Sequence, residues 1–151
     1  DGFGASGLVL QVAHEIAAAL PTLFRGLRLT QAWAYKYDEA HAGGIDAHAD
    51  EAAVSVNLWI TPDDANVGGD DAPGGLVMYE SKPPGEWSFV NANTDLPLIS
   101  AFLEHAASVR IPYKWNRAVL FKGERFHRTD AMRFRPGYRN RRINLTFLYT
   151  T

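Results

Sequence analysis

The spacing of apolar positions divides the chain into one long helical stretch followed by a series of short extended ones. Leu8, Val12, Ile16 and Leu20 recur every four residues and Val9 and Ala13 widen the stripe. This predicts an amphipathic helix over residues 8–20. Ser6 is placed to cap it and Pro21 to stop it. Residues 27–37 predict a strand with Trp33, Tyr35 and Tyr37 on one face. That face suits a core or a pocket wall, because a phenol combines an apolar body with a polar tip. From Val54 the alternation is strict. Val54, Val56, Leu58 and Ile60 take one face, and Ser55, Asn57, Trp59 and Thr61 take the other. A polar face that carries a Trp suits the wall of a wet cavity better than open solvent.

Further strands are predicted over residues 76–80, 109–113 and 118–121, from Arg125 onward, and over 141–149. A second helix, capped by Asn93 or Thr94, would carry Leu98, Ile99, Phe102, Leu103 and Ala106. Residues 61–75 and 130–140 are long polar connections, and loops on a rigid frame usually carry specificity, so they are the expected substrate contacts. Many short strands after a leading helix predict a mainly β fold, a barrel or jelly roll with helices packed outside.

Composition changes this picture little. The chain has 151 residues, the size of one domain. It contains no cysteine, so disulfides, thiolate metal sites and a cysteine nucleophile are excluded. Its apolar runs are too short to span a membrane, and it opens without a signal-peptide pattern. A cytoplasmic protein without membrane contact is expected. The chain opens on Asp1 rather than Met, as a piece of a longer protein would. Charge is uneven. Residues 1–109 carry 4 basic and 15 acidic side chains, whereas residues 110–151 carry 11 and 2. A nucleic-acid arm would show such asymmetry. The plainer expectation is that non-local strand pairing brings the two ends together, so that their charges answer each other.

His48 and Asp50 stand at i and i+2 just before the Val54 strand. On an extended chain both project to one side, as two-thirds of a facial triad for Fe(II). His127, 77 positions after Asp50, is the natural third ligand. His14, His41 and His105 have no partner at ligand spacing and read as ordinary surface or loop histidines. In the last strand Ile143, Leu145 and Phe147 alternate with Arg142, Asn144 and Thr146. An Arg on an inner face is costly unless an anion meets it. Arg offers a two-pronged contact to a carboxylate. Metal and guanidinium together match a keto-dicarboxylic acid.

In order, the motifs are a strand tyrosine, His-x-Asp, a Gly-Gly strand, Asn-Arg-x-Val-Leu-Phe, a distal His and Arg-x-Asn. This order resembles the Fe(II)/2-oxoglutarate-dependent dioxygenases, and within them the prolyl-hydroxylase-like branch, over roughly residues 31–149. The resemblance implies a double-stranded β-helix (jelly roll) with flanking N-terminal and inserted helices, as one oxygenase domain. Its helical lead-in would cover 1–25 and its core about 27–149. It implies that His48, Asp50 and His127 hold Fe(II). Arg142 would bind the distal carboxylate of 2-oxoglutarate, with Tyr37 and Tyr35 assisting and Asn57, Trp59 and Asn144 lining the pocket. His48, Asp50, His127 and Arg142 would then carry catalysis. Arg142 comes late after His127 and is followed by Asn144 rather than Ser or Thr; Arg141 is the alternative, though its parity turns it to the apolar face. The implied reaction consumes O2 and 2-oxoglutarate, yields succinate and CO2, and hydroxylates a substrate. Asp50 argues against halogenation, which goes with loss of that carboxylate. A peptide or protein side chain is the substrate expected from the branch, with nucleic acid kept as an alternative. A jelly-roll module that binds metal and ligand without turnover, and a plain β-sandwich with scattered polar residues, are the competing readings.

Overall fold

The computed structural model describes residues 7–37 and 44–151. Ser6 and His41 lie outside them. Among the described residues three α-helices and seven strands follow in the order α1 (Gly7–Ala19), β1 (Arg28–Tyr37), β2 (Val54–Trp59), β3 (Leu76–Tyr79), α2 (Phe89–Asn93), α3 (Leu96–Leu103), β4 (Ser108–Ile111), β5 (Ala118–Phe121), β6 (His127–Thr129) and β7 (Arg142–Thr150). The strands form two antiparallel sheets. The larger has the order β1-β7-β2-β5 and the smaller β4-β3-β6. The fold is thus mainly β, as the alternation predicts.

Register fixes which side chains face inward. Tyr37 pairs with Arg142, Tyr35 with Asn144 and Trp33 with Thr146; on the other side of β7, Asn57 pairs with Thr146 and Trp59 with Asn144. Paired residues in an antiparallel ladder share a face. One face of the larger sheet therefore carries Trp33, Tyr35, Tyr37, Asn57, Trp59, Arg142, Asn144 and Thr146. The other face carries Val54, Val56, Phe147 and Tyr149, and α1 covers it through Val9 and Ala13. The Tyr149 hydroxyl donates to the Ala13 carbonyl at 2.8 Å and ties helix to sheet.

Within α1 the buried positions are Val9 and Ala13, while Leu8 and, just past the helix, Leu20 are exposed. A step of four residues advances about 40° around a helix, so a four-residue recurrence leaves the buried face over three steps. The second helical region is two helices rather than one. The Ser88 hydroxyl accepts from Asn91 N and the Asn91 side chain accepts from Ser88 N, which caps α2. Asp95, not Asn93 or Thr94, caps α3 by accepting from Leu98 N at 3.2 Å. Ile99 and Leu103 of α3 pack with Ala49 and Phe126. A third cluster lies between the sheets, where Trp59, Val119 and Phe121 of the larger meet Leu76 and Met78 of the smaller, with Tyr113.

Residues 61–75 and 130–140 pair with each other. Asn66 bridges Phe134 and Pro73 bridges Met132. Val67 N donates to Arg133 O and Arg135 N to Ala65 O, both at 2.8 Å. The charge asymmetry is only partly answered by carboxylates. Lys114 pairs with Asp63. Arg117 donates to Pro112 O, Arg128 to the Tyr79 hydroxyl and Arg133 to Val67 O.

Phe147 is 0% exposed at the centre of the α1-covered face. Phe147→Ala should destabilise the fold by about 3–5 kcal/mol, read as a lower denaturant midpoint at unchanged slope.

Candidate metal centre and the cavities around it

His48 lies just outside the smaller sheet and joins it through one residue pair. His48 N donates to His127 O at 3.0 Å and His127 N to His48 O at 2.9 Å. These two bonds close a long sequence separation and set the two imidazole centroids 4.3 Å apart. Asp50 N donates to Gly123 O at 2.8 Å, which brings the carboxylate to the same point. Gly123 is needed there. A Cβ on it would stand 2.5 Å from Ala52 O and 2.9 Å from Ser55 Oγ.

The three sequence-predicted ligands therefore meet. One candidate donor atom from each of His48, Asp50 and His127 lies within 4.8 Å of the others. His48 Nε2 is 3.7 Å from Asp50 Oδ1, and His127 Nε2 is 3.5 Å from Asp50 Oδ2. These separations exceed a good hydrogen bond and leave space between the atoms. Each imidazole donates from Nδ1 to a backbone carbonyl, His48 to Asp46 O at 2.7 Å and His127 to Arg125 O at 2.9 Å. That fixes the tautomer and turns the Nε2 lone pairs toward the shared space. Ser55 Oγ donates to Asp50 Oδ2 at 2.6 Å and orients the carboxylate. Two imidazole nitrogens and one carboxylate on one side of a space are a donor set for a divalent transition metal with open positions. Burial first, then the adjacent His48, depresses the His127 pKa to about 4. Its imidazole is neutral and ready to ligate at neutral pH.

A narrow inner cavity leads from the triad. His48, Asp50 and His127 line it together with Trp33, Tyr35, Asn57, Thr129, Arg142, Asn144 and Thr146. Asn144 Nδ2 donates to Thr146 Oγ1 at 2.9 Å, and Thr146 Oγ1 to Asn57 Oδ1 at 2.8 Å. Two lining residues retain buried polar atoms without partners among the described residues, Trp33 Nε1 and Asn144 Oδ1. Arg142 is 1% exposed. Its Nε donates to Gly74 O at 2.7 Å and Nη2 reaches Gly75 O at 3.4 Å. Its guanidinium lies 5.2 Å from the Tyr37 ring and 5.9 Å from the rings of Trp59 and Tyr113. Among the described residues no carboxylate pairs with it. Burial lowers its pKa to about 10, so it remains a cation.

Tyr37 has a raised pKa, set mainly by burial and opposed by a hydrogen bond with Thr129 and by Arg142. Tyr35 stands nearer the mouth and stacks on Tyr37 at 6.1 Å. Trp59 is wholly buried behind the guanidinium and stacks on Tyr113 at 5.2 Å, so it backs the cavity rather than lining it. Arg141 points away, its guanidinium 5.7 Å from the Tyr138 ring, and only Arg142 enters the cavity. His14 and His105 are exposed and apart from the centre. Sequence reasoning missed Tyr113, whose hydroxyl donates to Thr61 O at 2.5 Å beside Arg142. It also missed Thr129, which accepts from Ile45 N at 3.0 Å. For Thr129 a signal existed, since it sits at i+2 from His127 on the same strand face.

Two wider cavities adjoin the centre. One, of about 500 Å³, is lined by Trp33, Tyr35, Ile45, Asp46, His48, Asp50 and the α2–α3 junction. The other, of about 550 Å³, lies beside Asp50 along α2. Residues 61–75 and 130–140, the expected substrate contacts, line neither.

No family model matches the chain and no curated protein matches it significantly. Solved structures do. AviO1 from Streptomyces viridochromogenes Tue57 superposes with a TM-score of 0.59 at 16% identity, covering 93% of this chain and 57% of AviO1. An N-substituted L-amino acid dioxygenase from Burkholderia ambifaria AMMD gives 0.57 at 13% identity, covering 99% of this chain and 69% of that one. The latter enzyme has also been solved in complex with alpha-KG. The non-heme alpha-ketoglutarate-dependent carbocyclase SnoK, from nogalamycin biosynthesis, gives 0.58 at 15%, covering 95% of this chain and 58% of SnoK. The likeness is one of fold, and the chain spans little more than half of AviO1 and SnoK. No helix among the described residues is long and apolar enough to cross a membrane.

The depressed His127 pKa has a consequence for stability. The unfolded imidazole takes up a proton near pH 6.5 and the folded one near pH 4. The metal-free protein should therefore lose stability as pH falls from about 6.5 to about 4, by an order of 3 kcal/mol. Urea unfolding in chelator across this range should show the loss, and His127→Gln should flatten it.

Proposed function

We propose that the chain is an Fe(II)- and 2-oxoglutarate-dependent oxygenase that hydroxylates its substrate, built on a double-stranded β-helix whose halves are the two sheets. One observation carries this reading. A two-histidine, one-carboxylate donor set and a buried guanidinium without a carboxylate partner among the described residues line the same chamber. The fold likeness to alpha-ketoglutarate-dependent enzymes supports it.

His48, Asp50 and His127 would hold the iron. Arg142 would take the distal carboxylate of 2-oxoglutarate through its free N–H groups, since Gly74 and Gly75 carbonyls already occupy Nε and part of Nη2. Iron, when bound, supplies dioxygen activation coupled to conversion of 2-oxoglutarate to succinate and CO2. The chain supplies geometry, charge pairing and exclusion of water. Asn57, Asn144 and Thr146 give the chamber a polar wall that orients the co-substrate. The unpartnered Asn144 Oδ1 and Trp33 Nε1 fit a chamber completed by a polar ligand. Asp50 keeps a carboxylate in the donor set, which favours hydroxylation over halogenation. The motif order supports the prolyl-hydroxylase-like branch.

Under anoxic conditions, Fe(II) and 2-oxoglutarate should give the weak visible charge-transfer band of the chelate. His127→Ala should abolish it. Arg142→Ala should raise the 2-oxoglutarate needed by about 100-fold, the effect of removing one partner of a buried charge pair. A parent protein without the band at saturating iron and co-substrate would overturn the reading. Ser55→Ala should retain the band but weaken iron binding by about tenfold, since the Asp50 carboxylate loses its orienting hydrogen bond.

A further inference from the structure

The approach to the centre is acidic and aromatic, although the chain's C-terminal third is basic. Trp33, Tyr35, Ile45 and Leu96 are among the residues that line the 500 Å³ cavity. Its charged or chargeable lining residues are Asp46, Asp50 and His48, and the last two belong to the metal site. Among the described residues Asp46, an exposed side chain, is thus the fixed charge left to meet a ligand. The neighbouring cavity adds Glu51 and Glu124, and its single lysine, Lys82, is ion-paired with Glu124 at 3.3 Å. Neither cavity is lined by an arginine.

We infer, on the oxygenase reading above, that the outer cavity binds a small molecule with an aromatic or apolar ring and a protonated amine. The ring lies against Trp33 and Tyr35 and the amine faces Asp46. Size, shape and charge agree. A cavity of about 500 Å³ falls in the ordinary range for small-molecule sites. Trp33 and Tyr35 stand edge to face, 6.3 Å between centroids, and their π-faces attract a ring or an ammonium. A carboxylate without a basic neighbour in the cavity attracts a cation and repels an anion. Arg142, at the closed end of the inner chamber, applies the opposite preference. The two charges sort the two ligands. The anionic co-substrate goes inward and the amine stays at the mouth. Asp46 also holds His48 in place through its backbone carbonyl, 2.7 Å from Nδ1, so the amine would dock one short step from the metal. A phosphate backbone would meet carboxylates here, which sets nucleic acid aside.

The test compares phenethylamine with 3-phenylpropionate, similar in shape and opposite in charge. Saturation-transfer NMR on the metal-free protein and on the anoxic Fe(II)–2-oxoglutarate form reads binding of each. The amine should bind about five- to tenfold tighter than the acid, and should perturb the chelate band in the loaded form. Asp46→Asn, which keeps the backbone carbonyl that His48 uses, should erase the preference. Glu124→Gln, in the neighbouring cavity, should preserve it. Equal binding of the two probes, preference for the acid, no amine binding at the solubility limit, or a preference that survives Asp46→Asn would each overturn the inference. Loss of the chelate band with the amine preference intact would instead count against the oxygenase reading alone.

Discussion

A guanidinium held at 1% exposure, still charged at neutral pH and without a carboxylate partner among the described residues, is the constraint around which this fold is arranged. Burying a charge is costly, and the cost falls only when polar groups or an opposite charge meet it. Arg142 opens β7, the strand that pairs with both β1 and β2. The two-residue period of β7 then places Asn144 and Thr146 on the same inner face, and pairing carries that polarity to Asn57. The Gly74 and Gly75 carbonyls meet part of the guanidinium and three aromatic rings surround the rest. Gly75 must be glycine for this, since a Cβ there would stand 1.8 Å from Ile111 O. Arg142 lines the inner chamber, and on the proposed reading an anionic ligand would complete the pairing.

The opposite side of the chamber is organised by backbone rather than by side-chain chemistry. His48 and His127 face each other because their main chains exchange two hydrogen bonds, and Asp50 because its N–H reaches Gly123 O. The side chains are then held by partners of their own, the imidazoles by carbonyls and the carboxylate by Ser55. The three donors are thus positioned by the fold itself. A metal would find them already oriented, with little ordering left to oppose its binding.

Period-two alternation explains why so much of the chamber is legible in the sequence. Once 54–61 and 142–147 are recognised as strands, parity alone assigns Asn57, Arg142, Asn144 and Thr146 inward and separates Arg142 from Arg141. His48 and Asp50 are legible for the same reason. What parity does not carry is what lies across a gap. Tyr113 follows the end of β4, outside any strand, and its ring comes within 5.9 Å of the Arg142 guanidinium through the fold rather than through pairing. The mutual pairing of residues 61–75 and 130–140 rests on backbone hydrogen bonds and isolated bridges, which leave no hydrophobic pattern. Their polar composition resembles that of substrate loops, yet the pairing fastens them to each other, and they line neither of the two wider cavities at the metal. The α1 stripe was misplaced at its ends because recurrence every four residues drifts around a helix.

The same distinction governs the charges. A count along the sequence shows a basic third and suggests an anionic partner, but function depends on where each charge ends. Arg117, Arg128 and Arg133 are directed to carbonyls and a phenol, and Lys114 to Asp63. The positive charge that enters the chamber is Arg142, buried at its closed end, while Asp46 stands at the mouth. Arg142 is buried, where its charge is little screened, whereas Asp46 and the surface arginines meet solvent and salt. Net charge therefore says little about the site, and the proposed sorting of ligands rests instead on where Arg142 and Asp46 stand.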